Sequence, residues 1–99
     1  MTTLQWKEPR VKEIVEKGLG SAGKLRIIQV LAENTKGITM YAIEQKSGLR
    51  HDSTVANLRT LLEIGWVEKI ATKPVKYMLN MNDAIVGDLV EFFYKIQYV

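Results

Sequence analysis

Residues 50–69, RHDSTVANLRTLLEIGWVEK, hold the pattern that leaves this chain the fewest ways to fold. Val55, Leu58, Leu61 and Leu62 recur at helical spacing and make one apolar stripe, which needs a core to lie against. Ser53, Ala56, Asn57, Arg59, Thr60 and Glu63 fall on the other side: short polar side chains with one guanidinium among them. Asp52 or Ser53 can supply the N-cap oxygen, and Gly65 ends the helix where a left-handed residue costs least. A helix over residues 52–64 is predicted, and a β-prone run from Trp66 follows at once.

The flanking sequence supplies partners for that helix. Residues 6–17 read as a short helix entered through Glu8 and Pro9, with Val11, Ile14 and Val15 as its apolar stripe. Gly18, Gly20 and Gly23 break the pattern. Ser21 then caps a helix over residues 22–33 that turns Leu25, Ile28, Leu31 and Ala32 inward, widened by Ile27 and Val30. Asn34-Thr35-Lys36-Gly37 is a turn, and Ile38 can pair as a very short strand. Thr39 caps a helix to about Lys46, with Met40 or Tyr41 and Ile43 on its buried side, and Ser47-Gly48 ends it. Leu49 to His51 is then a connecting turn of helix-turn-helix length. Residues 66–71 and 76–81 read as two strands joined by Thr72-Lys73-Pro74-Val75. Residues 83–98 form a last helix. Ile85, Leu89, Phe92 and Ile96 make one seam, and Val86, Val90, Phe93 and Val99 widen it beyond what one small core covers.

This order of parts resembles the winged-helix branch of the helix-turn-helix DNA-binding regulators. Ser53-Thr54-Val55, Leu58-Arg59-Thr60-Leu61 and Gly65-Trp66-Val67-Glu68-Lys69 carry the resemblance, which spans residues 21–81. It implies a mainly α fold with a small β-hairpin wing: a winged helix-turn-helix domain with an added N-terminal helix and a C-terminal dimerisation helix. The whole chain, residues 1–99, is then one domain, as its 99 residues allow. Regulators of this kind are common in archaea, and usage rich in Ile, Val, Lys and Glu is compatible with such a source.

Charge and composition narrow the chemistry. The net charge of +3 is unevenly spread: residues 1–79 carry 13 Lys/Arg against 8 Asp/Glu, while residues 80–99 set Lys95 against Asp83, Asp88 and Glu91. Zero cysteines exclude disulfides, thiolate metal sites and cysteine nucleophiles. His51 is the one histidine and has no neighbouring cluster of carboxylates in sequence, so no metal site and no cofactor are expected. No phosphate loop, carboxylate pair or Ser/His/Asp set is visible, so catalysis is not expected either. Residues 1–10 lack the basic-then-apolar pattern of a secretory signal and no apolar run spans a bilayer, so a cytoplasmic location is expected.

The function read from these features is sequence-specific binding of double-stranded DNA by a homodimeric transcription regulator. The helix over residues 52–64 would enter the major groove and the wing, residues 69–76, would follow the backbone. Arg50, Asn57 and Arg59 are the foremost candidates for DNA contact, with Ser53, Thr54 and Thr60 as short hydrogen-bonders and His51 touching phosphate. Lys69, Lys73 and Lys76 would lie along phosphates. Ile85, Leu89, Phe92, Phe93 and Ile96 are the candidate dimer interface, with Tyr94 and Tyr98 beside them. The alternatives are a winged-helix module that binds protein, and a non-specific chromatin-associated DNA-binding protein. Trp66 and the methionines are expected in the core, as anchor and gap fillers.

Overall fold

The computed structural model describes residues 9–99, without the side chains of Val11 and Lys12. Its elements run α1 (Pro9–Leu19), α2 (Ala22–Glu33), β1 (Ile38–Thr39), α3 (Met40–Ser47), α4 (His51–Glu63), β2 (Val67–Ile70), β3 (Lys76–Leu79) and α5 (Ala84–Lys95). Trp6 and the expected start of the first helix lie outside the described residues. Its far end runs two residues past Lys17, through Gly18 to Leu19. The glycine does not break α1, because the Trp66 ring occupies the space where a β-carbon at Gly18 would stand. Tertiary contact overrides the low helix propensity of glycine here.

α2 is the axle of the core. Ser21 Oγ accepts from the Lys24 amide at 3.2 Å and starts the helix, as the capping rule anticipates. Ile27, Ile28, Val30, Leu31 and Ala32 are all buried, which is a wider arc than one amphipathic stripe supplies. That width is used: α1, α3, α4 and β3 all contact α2. Each fully buried Ile or Leu contributes roughly 1.5–3 kcal/mol relative to exposure, so this one helix brings together much of the apolar drive.

The sheet is antiparallel with strand order β1-β3-β2. Ile38 pairs with Tyr77 and Thr39 with Lys76, so the expected third strand forms, but beside the end of β3 nearest the hairpin tip rather than at the base of the wing. Thr39 has a second task, since its Oγ1 accepts from the Ala42 amide at 3.2 Å and caps α3. Across the hairpin Val67 faces Leu79, Glu68 faces Met78, Lys69 faces Tyr77 and Ile70 faces Lys76. Trp66, Val67, Tyr77 and Leu79 turn into the core.

α5 joins the same core rather than standing outside it. Asp83 Oδ1 accepts from the Ile85 amide at 2.9 Å and the Val86 amide at 3.2 Å, which sets the start of the helix. Val86, Val90 and Phe93 form its buried stripe. The helix closes at Lys95, earlier than the expected 98, and Gln97 turns the chain back at φ 61°. The Tyr98 amide then donates to the Phe93 carbonyl at 2.8 Å, and Gln29 Nε2 donates to the Tyr98 carbonyl at 2.8 Å. The Tyr98 and Phe93 rings meet edge to face at 4.8 Å between centroids, a favoured aromatic geometry.

Candidate nucleic-acid interface

α3, the turn 48–50 and α4 make a helix-turn-helix. Gly48, at φ 74°, ends α3 in the left-handed region, and Gly65, at φ 79°, does the same for the chain leaving α4. Neither position would admit a side chain without strain. The corner after Gly65 is closed by the Trp66 amide donating to the Leu61 carbonyl at 3.0 Å. Helix, corner and wing are thereby held together within a few residues.

α4 presents its faces one step of rotation away from the sequence reading. Thr54, Leu58 and Leu61 are the buried residues, while Val55 and Leu62 are only half-buried. Thr54 was expected to reach DNA; instead it is fully buried, and its hydroxyl donates to the Arg50 carbonyl at 3.0 Å. A threonine that bonds its own helix backbone behaves as a small apolar residue, which is why it can sit inward. The N-cap position is Arg50, which makes no side-chain cap hydrogen bond, so Asp52 and Ser53 stand within the first turn rather than before it.

Asn57 also departs from the expected outward position. It is half-buried and leans on the start of α2: Ser21 Oγ donates to its Oδ1 at 3.4 Å, and its amide nitrogen fills the space beside Gly23. Thr60 is half-exposed, with its hydroxyl donating to the Ala56 carbonyl at 3.4 Å. The residues that face fully outward are Arg50, His51, Asp52, Ser53, Ala56, Arg59 and Glu63.

The wing tip, residues 71–75, is exposed throughout, as are Lys69, Lys73 and Lys76. The three lysines do not form one row. Directly opposed residues share a face of an antiparallel pair and successive residues alternate, so Lys69, opposite Tyr77, and Lys76, opposite Ile70, lie on opposite faces of the hairpin. Lys69 meets Arg59 across a groove of about 190 Å³ between α4 and the wing, floored by Met40, Val55, Leu58, Leu62 and Tyr77. Among the described residues, Arg50, Arg59, Lys69, Lys73 and Lys76 form no ion pair. Their charge is available to an outside anion.

His51 has a carboxylate partner that the sequence reading missed. Its Nδ1 lies 2.7 Å from Glu44 Oε2, joining the first residue of α4 to α3 across the turn. That hydrogen bond, then the Glu44 charge, and more weakly the Asp52 charge hold the imidazole pKa above its ordinary 6.5 against slight desolvation. The seven-residue separation hid the pair, because it becomes a contact only when Gly48 reverses the chain. Among the described residues no group of three or more His, Asp or Glu side chains could hold a metal ion. Tyr41, allowed as a buried residue of α3, is instead 70% exposed, and Met40 takes the inner place.

The candidate dimer residues divide in two. Phe93 is buried in the chain's own core, which corrects its assignment to an interface, and Ile85 and Leu89 are half-buried against that core. Phe92, Tyr94 and Ile96 are each 54% exposed. A single-residue step separates the two phenylalanines, and only the placement of α5 against α2 and the sheet decides which is inside.

No helix among the described residues is long and apolar enough to cross a membrane. No family model matches the chain, and no curated protein does. Solved structures do. The transcriptional repressor BigR from Xylella fastidiosa superposes with a TM-score of 0.72 at 24% identity, over 88% of this chain and 85% of that one. The homodimeric winged helix-turn-helix DNA-binding domain of Mb0332 from Mycobacterium bovis, a possible ArsR-family transcriptional regulator, gives 0.69 at 20% identity, over 98% of this chain and 90% of that one. These two neighbours are bacterial and lend nothing to an archaeal source. With its helix-turn-helix, three-stranded sheet and flanking helices α1 and α5, the chain has the winged helix-turn-helix fold.

Proposed function

We propose that this chain binds double-stranded DNA sequence-specifically as a homodimeric transcription regulator. The observation that carries the reading is the set of exposed, unpaired cations around α4 and the wing: Arg50 at the N-cap of α4, Arg59 on the helix, Lys69 beside Arg59, and Lys73 at the hairpin tip. Arg59 and Ser53 are the residues to read base edges, since they face outward on the helix that would enter the major groove. Arg50, Lys69, Lys73 and Lys76 would neutralise phosphates, Lys76 from the far face of the hairpin. The two neighbours, a repressor and a homodimeric DNA-binding domain, support the same reading.

For the dimer, Phe92, Tyr94 and Ile96 offer an exposed aromatic and aliphatic band on α5, edged by Ile85 and Leu89. A two-fold pairing through this band would cover it and set two copies of α4 on one face of a duplex. Selection of bound sequences from a random duplex pool tests the function directly. Palindromic sites with half-sites about one helical turn apart are expected, and Arg59→Ala should weaken the selected site by ~1–3 kcal/mol. Recovery of no preferred sequence would leave a non-specific DNA binder. Absence of salt-sensitive duplex binding would point to a protein-binding module.

A further inference from the structure

The Glu44–His51 contact has a chemical consequence for how α4 meets a phosphate. A carboxylate can only accept, so the 2.7 Å contact requires that Nδ1 carry the proton and donate to Glu44 Oε2. The imidazole is thereby turned and its tautomer chosen by a side chain on another helix. Glu44 is itself firmly placed, 18% exposed on α3, while the His51 side chain is 67% exposed on the outward face of the helix-turn-helix. Among the described residues Nε2 has no hydrogen-bond partner. In the neutral ring this nitrogen is a bare acceptor and repels phosphate oxygen; in the imidazolium it is a donor.

The geometry points to Glu44 as a positioning residue for DNA binding: it fixes the His51 ring so that Nε2, once protonated, donates to a backbone phosphate, and the protonation state of His51 sets the affinity. The inference rests on the DNA-binding reading above and adds a pH dependence to it. The charged groups acting on the ring are Glu44 from α3 and Asp52 from α4, and each favours the imidazolium. His51 is the chain's one histidine, so no other imidazole can supply the effect.

The test is duplex binding by the whole protein, followed by fluorescence anisotropy on a mixed-sequence duplex of about 20 bp, long enough for two successive major grooves. Affinity should fall roughly tenfold, as for loss of a hydrogen bond to a charged group, between about pH 5.5 and about pH 8.5, a window that brackets the histidine range. The salt dependence should be steeper at the acid end by about one phosphate contact per protomer. His51→Gln should flatten both dependences. Glu44→Gln should leave the fold intact and move the midpoint of the fall to lower pH. Nitrogen NMR of the ring should show the Nδ1-protonated neutral tautomer in the native protein and its loss in Glu44→Ala, which removes the acceptor.

Native affinity no more pH-sensitive than that of His51→Gln, or a midpoint unmoved by Glu44→Gln, overturns the inference while leaving DNA binding in place. Absence of duplex binding at every pH, with the ring tautomer still as described, removes the DNA-binding reading and this inference together.

Discussion

The indole of Trp66 lies directly against Gly18, its six-membered ring filling the position of the missing β-carbon. Trp66 is fully buried and cannot swing aside, so α1 and the start of the hairpin are fitted to each other through the absence of one methyl group. Gly18→Ala should therefore destabilise the fold by about 1–3 kcal/mol, the usual cost of overpacking, although alanine favours a helix by roughly 1 kcal/mol over glycine. A rise in melting temperature for this variant would show that α1 does not pack on Trp66.

The two adjacent phenylalanines should separate self-association from folding. Phe93→Ala empties a buried site and should cost about 3–5 kcal/mol of stability. Phe92→Glu, at an exposed site, should leave the melting temperature of dilute protein nearly unchanged and shift sedimentation from dimer to monomer. A native protein that sediments as a monomer at all concentrations would refute the α5 pairing.

Thr54→Val keeps the shape of a buried side chain and removes its hydroxyl. The Arg50 carbonyl still receives the Thr54 amide at 2.9 Å, so the cost should be modest, ~0.5–1.5 kcal/mol for one net hydrogen bond. DNA affinity should not change, because the hydroxyl does not face outward. A clear loss of affinity at unchanged stability would return Thr54 to the interface.

Stability should carry a pH signature of the His51–Glu44 pair. The folded-state pKa of His51 is raised above its ordinary 6.5, so the pair's contribution is present below that value and is lost as pH rises through the raised one. Thermal unfolding of the native protein and His51→Gln should differ most near pH 6 and converge toward about pH 8. A gap that widens with pH would show that folding lowers the His51 pKa rather than raising it.

Much of the architecture is legible in the residues. Ser21 and Thr39 cap the helices they were expected to cap, Gly65 ends α4, and Ile38 pairs with the hairpin. Trp66 is core. What the sequence could not carry is rotation about a helix axis and reach across a turn. Thr54 looks polar, yet its oxygen is satisfied within its own helix; Asn57 looks outward, yet the small Gly23 and the Ser21 hydroxyl draw it sideways. Phe92 and Phe93 are indistinguishable by composition, and Lys69 and Lys76 read as one basic row until the register places them on opposite faces. These are differences of about one residue step, smaller than periodicity resolves when most of a helix is apolar or when polar groups can be satisfied locally.

Thr39 sits at a junction between the wing and the helix-turn-helix: its backbone is paired opposite Lys76 in the sheet while its hydroxyl closes the first turn of α3. The hairpin therefore cannot tilt without loosening the helix that braces α4. On the proposed DNA-binding reading, the span between lysine tip and helix is thus a fixed calliper setting, and a duplex of the wrong groove width would itself have to deform to be held.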